Sequence, residues 1–381
     1  CTAILFGTAC MGAVKYVPEN MKVELSLKVP GNNAVNYKLH PDKLENSYFD
    51  YEWRSDNKLP ITVFHKVEER DSCMRLTVQL TAAQDVYFNY RQLLSTGYRH
   101  DNCQFYMPGF WYRRNLRSPK KAPSFHTSDS WLVREDRLSA PLTGIFSEKE
   151  KRFMTVNRLD DFSMDALATH KEGEIILSGK TSLGFTGFEN QQGIAMLSFG
   201  FPYREAPKSY IRKLTLAPEV EAFQLMKKGE SVLLTWEIME SGADDFSDFI
   251  QHTWEHCYDT YAPKPVENSY SIADMKQVLS CFFVNSLVDN QPLVYNSGIH
   301  LKVSDCERNG QAEVGFIGRV LLNAFNAWEY GWQSNREELK VNSTKIFDSY
   351  LKNGFTQAGF FKESVNFDKG YEEPIHSIRR Q

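Results

Sequence analysis

The chain has 381 residues, of which 42 % are hydrophobic and 24 % are charged, so it can bury a core and form more than one domain. Its formal net charge of −4 provides no overall positive field that would attract nucleic acid or an anionic membrane surface. Aromatic residues make up 13 % of the chain, which favours β-rich packing and flat apolar surfaces for ligands.

The first residues are small and apolar. Residues 3–14 are too few to span a bilayer, and they are typical of the end of a secretory signal peptide. GTAC at 7–10 is similar to a bacterial lipoprotein cleavage box with Cys10 as the lipidated residue, although Gly7 replaces the usual larger aliphatic residue. A short β-strand is the alternative. We expect residues 1–14 to be a leader remnant, export to the periplasm or cell surface, and membrane contact only through a lipid anchor at Cys10.

From about residue 20 to residue 240, short runs that alternate apolar and polar residues predict β-strands. The clearest runs are 21–29, 61–67, 74–81, 174–179, 193–201 and 230–239. Gly, Pro, Asn and Asp separate these runs, as in a large antiparallel β-sandwich, which we expect over residues 15–240. No repeat of 20 to 50 residues is visible, so a propeller or solenoid is not supported.

After residue 240 the apolar period changes from 2 to 3.6, which predicts helices. We expect a linker helix and linker over 241–268, and serial helices over 269–381 that begin near 271, 313, 335 and Pro374. Ser271 and Asp274 form a capping box for the first of these. The apolar stripes expected to be buried comprise Met275, Val278, Leu279, Phe282 and Phe283, then Ile317, Val320, Leu321, Ala324, Phe325 and Trp328, then Leu339, Ile346, Phe347, Tyr350 and Leu351. We expect further chain to complete this helical array; a small four-helix subdomain is the alternative.

This order resembles the six-hairpin glycosidase group, in which an (α/α)6 toroid follows a β-sandwich. The resemblance rests on the helix at 244–261 and on the passages SDCERNGQAEVGFIGR (304–319) and GFFKESVNFDKGYEEPIHSIRR (359–380). It covers the order of most of the chain and matches an architecture, with no motif that fixes the reaction. It implies a multidomain β + α fold, a sandwich followed by a partial toroid, with the substrate in a funnel near the two passages.

Under that resemblance, acidic residues in the two passages are candidate catalysts. Glycoside hydrolysis needs a carboxylic acid as proton donor and usually a second carboxylate. The candidate catalytic residues are Asp305, Glu307, Glu313, Glu373 and His376. For any single acid, helix capping or a surface position is the alternative. Arg308 and Arg379 are candidate substrate-binding residues, because a guanidinium group suits the carboxylate or sulfate of an acidic sugar; pairing with neighbouring acids is the alternative.

The segment QFYMPGFWYRRN, residues 104–115, is rich in aromatic and basic residues. Its Pro-Gly pair predicts a loop or strand end. Trp111, Tyr112 and Arg113 are candidate substrate-binding residues, with the Trp111 ring stacked on a sugar; a seam between domains is the alternative. A nucleic-acid platform is disfavoured by the net charge and by the expected export.

Other site types have little support. The seven cysteines show no CxxC pair and no zinc-ligand spacing. HTWEH at 252–256 matches H-x-x-E-H, but helical phase places these polar residues on the polar face of their helix, and no third ligand is recognisable downstream. Glycine-rich nucleotide motifs are absent from the sequence. We expect no metal, no cofactor and no nucleic-acid partner.

The sequence therefore predicts an exported bacterial glycoside hydrolase that acts on a poly- or oligosaccharide, with an acidic sugar as a candidate substrate, by carboxylate general acid/base catalysis. A polysaccharide lyase of toroid fold and a non-catalytic surface carbohydrate-binding protein are the alternatives. Two facing carboxyl groups would discriminate hydrolysis from both.

Overall fold

The structure is a computed structural model. It describes residues 17–360 except 45–49, 71–72, 161–171, 266, 286, 289–293, 296–298, 302–305, 309–310 and 314–318, together with 364–366 and 370–374. The chain divides into two compact units, Cys1–Pro263 and Lys264–Gln381. The predicted leader and Cys10 lie outside the described residues.

The first unit contains β1 (Met21–Lys28), β2 (Val35–Lys43), β3 (Asp50–Arg54), β4 (Ile61–Glu69), β5 (Cys73–Ala82), β6 (Val86–Arg99), β7 (Cys103–Met107), β8 (Trp111–Arg113), β9 (Trp131–Arg134), β10 (Leu142–Ser147), β11 (Arg152–Arg158), β12 (Gly173–Ile176), β13 (Phe185–Gln191), β14 (Ile194–Phe201), β15 (Arg204–Glu205), β16 (Ser209–Arg212), β17 (Thr215–Ala217), β18 (Val220–Met226), β19 (Ser231–Gly242) and helix α1 (Phe246–Tyr261). The second contains α2 (Ile272–Asn285), β20 (Leu287–Val288), β21 (Val294–Tyr295), β22 (Ile299–Leu301), β23 (Cys306–Arg308), β24 (Gln311–Glu313), α3 (Arg319–Gln333), α4 (Glu337–Asn353), β25 (Ser364–Asn366) and β26 (Gly370–Pro374).

The six predicted strands are confirmed as β1, β4, β5, β12, β14 and β19. Their alternating sequences place one face inward, since successive side chains of a strand point to opposite faces. In β4, for example, Ile61, Val63, His65 and Val67 are buried, and the residues between them are more exposed. The prediction of a large antiparallel β-sheet domain is therefore confirmed.

The strands form two layers. One layer has the order β2-β1-β6-β14-β13-β9, and the other has the order β2-β3-β4-β5-β19-β11-β10-β7-β8. Strand β2 takes part in both, because its first half pairs with β1 and its second half pairs with β3. All described pairings are antiparallel except that of β12 with β18. Apolar side chains of both layers share one core, where the rings of Phe199 and Trp236 lie 5.2 Å apart.

Helix α1 packs on the outside of the second layer. Asp245 caps its first turn, since the Asp245 carboxylate accepts hydrogen bonds from the backbone N–H groups of Ser247 (2.7 Å) and Asp248 (2.9 Å). Phe249 and Cys257 on its apolar face are buried in a cluster with residues of β10, β11 and β19. The predicted linker helix is thus part of the first unit, which ends at Pro263.

The second unit has a small core of its own, formed by Tyr295, Ala324, Ala327, Leu339, Ile346 and Tyr350. The predicted capping box of α2 is present: the Asp274 N–H donates to the Ser271 hydroxyl (3.1 Å), and the Ser271 N–H donates to the Asp274 carboxylate (2.9 Å). Helices α2, α3 and α4 confirm three of the predicted helices. The (α/α)6 toroid stays a prediction.

Three expectations for the second unit are corrected. Most of the expected stripe of α2 is exposed, at 40–66 % for Met275, Val278, Leu279 and Phe282, and Phe325, Trp328 and Leu351 are exposed as well. Helix α3 begins at Arg319 and not near 313, because residues 311–313 pair as a strand. Pro374 is the last residue of strand β26, so it does not begin a helix, and residues 375–381 of the predicted helix lie outside the described residues. Among the described residues, no helix is long and apolar enough to cross a membrane.

Candidate functional site

The aromatic segment forms a β-hairpin. Strands β7 and β8 pair with Phe105 opposite Arg113 and Met107 opposite Trp111. The predicted Pro-Gly turn joins them, and Gly109 has a φ of +78°. This backbone angle favours glycine, and an added Cβ would lie 2.8 Å from the Ser139 hydroxyl and displace it.

The Trp111 prediction is corrected. Its side chain is fully buried, and its ring packs at 5.1 Å from Phe188 and 5.8 Å from Trp131. The indole N–H donates to the Arg113 carbonyl oxygen (2.9 Å), which satisfies its polar edge inside the core. Because no face of the ring reaches solvent, Trp111 does not offer a stacking surface to a sugar.

Tyr112 does offer such a surface. It follows Trp111 in the strand, so it points to the opposite face, and it is 52 % exposed. Its hydroxyl accepts a hydrogen bond from the Gly109 N–H (3.3 Å), and its ring lies 5.4 Å from the ring of buried Tyr106. These contacts hold the Tyr112 ring in place with one face toward solvent.

The backbone beside Tyr112 is strained. Arg113 and Asn115 have φ angles of +58° and +47°, in the left-handed region, which asparagine tolerates but which costs a residue such as arginine roughly 1–2 kcal/mol. The Asn115 side chain holds the conformation: its oxygen accepts from the Tyr112 N–H (3.0 Å), and its amide donates to the Phe110 and Pro123 carbonyls. Strain that surrounding contacts impose in this way often marks a functional site.

A cleft of about 560 Å³ opens beside this strained turn. It is lined by Asp101, Gln104, Tyr112, Arg113, Arg114, Asn115, Leu116, Arg117, Ser118 and Glu148. Two of the predicted binding residues, Tyr112 and Arg113, therefore lie in one cleft. Sequence reasoning missed Asp101, Gln104, Arg117 and Glu148; the basic run from Arg113 to Lys121 was the available signal for Arg117.

The three arginines of the cleft differ in how they are held. The Arg113 guanidinium lies 4.9 Å from the centre of the Phe246 ring, a cation–π contact. Arg114 stacks on Phe125 and donates to the backbone oxygens of Cys103 and Asp101. Arg117 is exposed, and within the described part of the chain no hydrogen bond or ion pair engages it. Arg117 is the guanidinium most available to a ligand.

The two acidic passages of the second unit meet in one three-stranded sheet. Glu313 ends β24, where it pairs with Ser364 of β25, and Glu373 lies in β26, which pairs with the other edge of β25. Glu307 and Arg308 lie in β23, paired with β22. Asp305, His376 and Arg379 lie outside the described residues. The catalytic roles assigned to these residues stay predictions.

The side chains of HTWEH have separate partners. The His252 ring nitrogen lies 3.4 Å from the Asp248 carboxylate on its own helix. Glu255 accepts from Gln251 (2.8 Å), and His256 contacts Glu237 of β19 (2.7 Å). His252 and His256 therefore do not converge on a shared point.

The comparisons with known proteins give distant likenesses only. No family model matches the chain, and no curated protein matches it. Among solved structures, it is similar to a polysaccharide lyase (11 % identity, TM-score 0.31), a GH36 α-galactosidase from Geobacillus stearothermophilus in complex with raffinose (11 %, 0.32) and a kojibiose phosphorylase from the human microbiome (5 %, 0.25). The matches cover 88 %, 57 % and 71 % of this chain and 54 %, 30 % and 32 % of those chains. These neighbours are carbohydrate-active enzymes, but TM-scores below 0.5 do not establish a common fold.

Proposed function

We propose that the chain is an exported bacterial carbohydrate-active enzyme that binds an acidic oligo- or polysaccharide at the cleft beside β8 and cleaves it by glycoside hydrolysis. The cleft carries this proposal. It presents a half-exposed aromatic ring, unengaged Arg117 and the carboxylates of Asp101 and Glu148 within one concave surface. A sugar ring needs this combination, because its C–H face packs on an aromatic ring and its hydroxyls bond to charged groups.

An acidic sugar fits the cleft better than a neutral one. A guanidinium group donates two parallel hydrogen bonds to a carboxylate or sulfate, which fixes the orientation of the ligand as well as its charge. Arg113 and Arg117 both line the cleft. Asp101 and Glu148 would accept hydrogen bonds from sugar hydroxyls at the same wall.

The second unit contains the acids that we propose as catalysts. Its three-stranded sheet, which also contains Glu372, places the backbones of Glu313 and Glu373 on the two strands that flank β25. Glycoside hydrolysis uses two carboxyl groups, one as proton donor and the other as base or nucleophile. We assign these two glutamates to that pair, with Asp305, Glu307 and His376 as further candidates.

The first test measures binding by titration calorimetry with uronate-containing, sulfated and neutral oligosaccharides. We expect Tyr112→Ala to weaken binding about tenfold, or about 1.4 kcal/mol, because the sugar loses its stacking surface. The matched control is Tyr258→Ala on α1, a tyrosine that is 65 % exposed and does not line the cleft. Equal loss in both variants would contradict the cleft assignment.

Arginine substitution tests the acidic-sugar part of the proposal. Arg117→Ala should weaken the binding of acidic glycans and leave the binding of neutral glycans nearly unchanged. Arg212→Ala, which changes an exposed arginine outside the cleft, should alter neither.

Product analysis then assigns the reaction. New reducing ends without ultraviolet absorbance indicate hydrolysis, an absorbing unsaturated uronide indicates a lyase, and binding without any product indicates a carbohydrate-binding protein.

A further inference from the structure

A second group of functional side chains lies in the first unit, away from the cleft lining. Cys73 begins β5, Glu237 lies in β19, and His256 lies in α1. One ligand atom from each residue, the Cys73 sulfur, a Glu237 carboxylate oxygen and a His256 ring nitrogen, lie within 4.8 Å of one another. Three elements distant in sequence thus deliver three different metal-binding groups to one point.

The surroundings of this group are closed on the sheet side and open at the helix. Cys73 and Glu237 are buried, each 4 % exposed, and the His256 side chain is 22 % exposed. Helix α1 covers the two sheet residues. His256 is therefore the member of the group that is most exposed to solvent.

The hydrogen bonds of the group hold its donor atoms inward. The His256 Nε2 atom lies 2.7 Å from the Glu237 Oε1 atom, and the Thr260 hydroxyl donates to that oxygen at 3.2 Å. An orienting hydrogen bond to a ligating carboxylate, such as the one from Thr260, is typical of metal sites.

The set of donor groups suits zinc. Thiolate, imidazole and carboxylate are its usual ligands, at about 2.3, 2.0 and 2.0–2.2 Å. Tetrahedral geometry separates an imidazole nitrogen from a carboxylate oxygen by about 3.3 Å, so the 2.7 Å contact needs to open by less than 1 Å. Thiolate and carboxylate together balance the charge of a divalent cation.

We propose that Cys73, Glu237 and His256 bind one Zn²⁺ ion that ties α1 to strands β5 and β19, with water as the fourth ligand. Binding replaces the Cys73 thiol proton and the His256 Nε2 proton by bonds to the metal; the thiol proton is released to solvent, and the neutral His256 ring carries its one proton on Nδ1. The site is independent of the carbohydrate cleft, because none of the three residues lines that cleft.

One neighbouring charge opposes the ion and provides a sharp test. The Arg75 guanidinium lies 3.6 Å from the second Glu237 oxygen and is only partly exposed. A cation at this distance repels a bound dication in a partly desolvated site. Arg75→Met should therefore tighten metal binding by about tenfold. If the three residues form only a hydrogen-bonded cluster, the same substitution removes an ion-pair partner of Glu237 and confers no metal affinity.

The experiment uses the full chain purified with zinc in the medium, followed by metal analysis, chelator dialysis and titration with Co²⁺ as a spectroscopic probe. We expect one equivalent of zinc after purification and one equivalent of Co²⁺ with a sulfur-to-cobalt charge-transfer band. His256→Ala and Cys73→Ser should weaken binding by more than about tenfold and remove the thermal stabilisation that zinc confers. Cys73→Ser should also abolish the band.

Two substitutions serve as matched controls. His252→Ala changes the histidine one turn earlier, which pairs with Asp248, and Cys281→Ser removes an exposed cysteine of the second unit. Both should bind like the unmodified chain. If Cys73→Ser does not fold, as judged by circular dichroism, His256→Ala decides, since its side chain is partly exposed. The proposal would be overturned if the chain did not retain zinc, or if it did not bind Co²⁺ with the charge-transfer band. Equal metal binding by His256→Ala and His252→Ala would overturn it as well.

Discussion

At the scale of single residues, His65 shows how burial sets the charge of a side chain. It is fully buried, its Nε2 atom lies 2.6 Å from the Tyr90 hydroxyl oxygen, and its ring packs 5.0 Å from the Trp53 ring. Burial lowers the pKa of His65 to about 3, because the charged form would lose its hydration. His65 is therefore neutral in the folded protein near pH 7.

This shift predicts a stability that depends on pH. The unfolded chain binds a proton at His65 below about pH 6.5 and the folded chain does so only below about pH 3, so folding stability falls as the pH drops between these values. At pH 4.5 the loss from this residue is about 2–3 kcal/mol relative to pH 7. Urea unfolding at both pH values measures this decrease in the free energy of unfolding. The decrease due to His65 should be absent in His65→Gln and present in His126→Gln, which changes an exposed histidine. An unchanged pH dependence in His65→Gln would contradict the prediction.

Single residues also show where sequence reasoning reaches its limit. Trp111 and Tyr112 have similar sequence surroundings, but the first is fully buried and the second is half exposed. The indole N–H of Trp111 is satisfied by a backbone carbonyl two residues away, and a sequence pattern does not show such a bond. The grouping of Cys73, Glu237 and His256 was not foreseen, because the residues are distant in the sequence and only strand pairing and helix docking bring them together.

At the scale of elements, helix α1 depends on its first turn. Asp245 accepts two backbone hydrogen bonds there, and these bonds lower the pKa of its carboxyl group. We expect Asp245→Ala to reduce the free energy of unfolding by about 1 kcal/mol, measured by urea titration at pH 7. Asp259→Ala, which removes the same charge near the other end of the helix, should have no destabilising effect, because negative charge is unfavourable there. Equal destabilisation by the two variants would contradict a capping role.

Periodicity predicted most elements and failed in identifiable places. Alternation identified the strands because each has one buried face, and the 3.6-residue period identified α1 through α4. The same period predicted a buried stripe on α2 that is largely exposed, since an apolar stripe does not show what covers it. Pro374 suits a first helical turn and equally the end of a strand, and pairing of β26 with β25 decides for the strand.

At the scale of the whole molecule, the segment between the two units predicts where a protease acts. The described residues among 262–270 are exposed and lie outside regular structure, and the first unit has its own extensive core. Proteinase K at low concentration should cleave there and leave a stable fragment that ends near Pro263, as measured by mass spectrometry. Cleavage within β1–β19 at a rate as high as that in the segment 262–270 would show that the first unit is not independently stable.

The overall organisation followed from the sequence more reliably than the functional site did. The change from strand to helix patterns near residue 240 separated the sandwich from the helices that follow it. Helix α1 follows this change of pattern, but it packs on the sheet through Phe249 and Cys257 and so belongs to the first compact unit. For the site, the sequence predicted Tyr112 and Arg113 as binding residues, and both line the cleft. The carboxylates of the cleft come from a 3-10 turn around residue 101 and a turn around residue 148, which carry no motif.

The position of β19 has a consequence for the order in which the chain can fold during its synthesis. β19 lies between β5 and β11, and it is the last strand of the first unit along the chain. Until residue 242 leaves the ribosome, the second layer consists of two separate halves with unpaired inner edges. The second layer therefore stays open for most of the synthesis of the first unit, and it closes in a late step that pairs β19 with β5, between residues 150 or more positions apart.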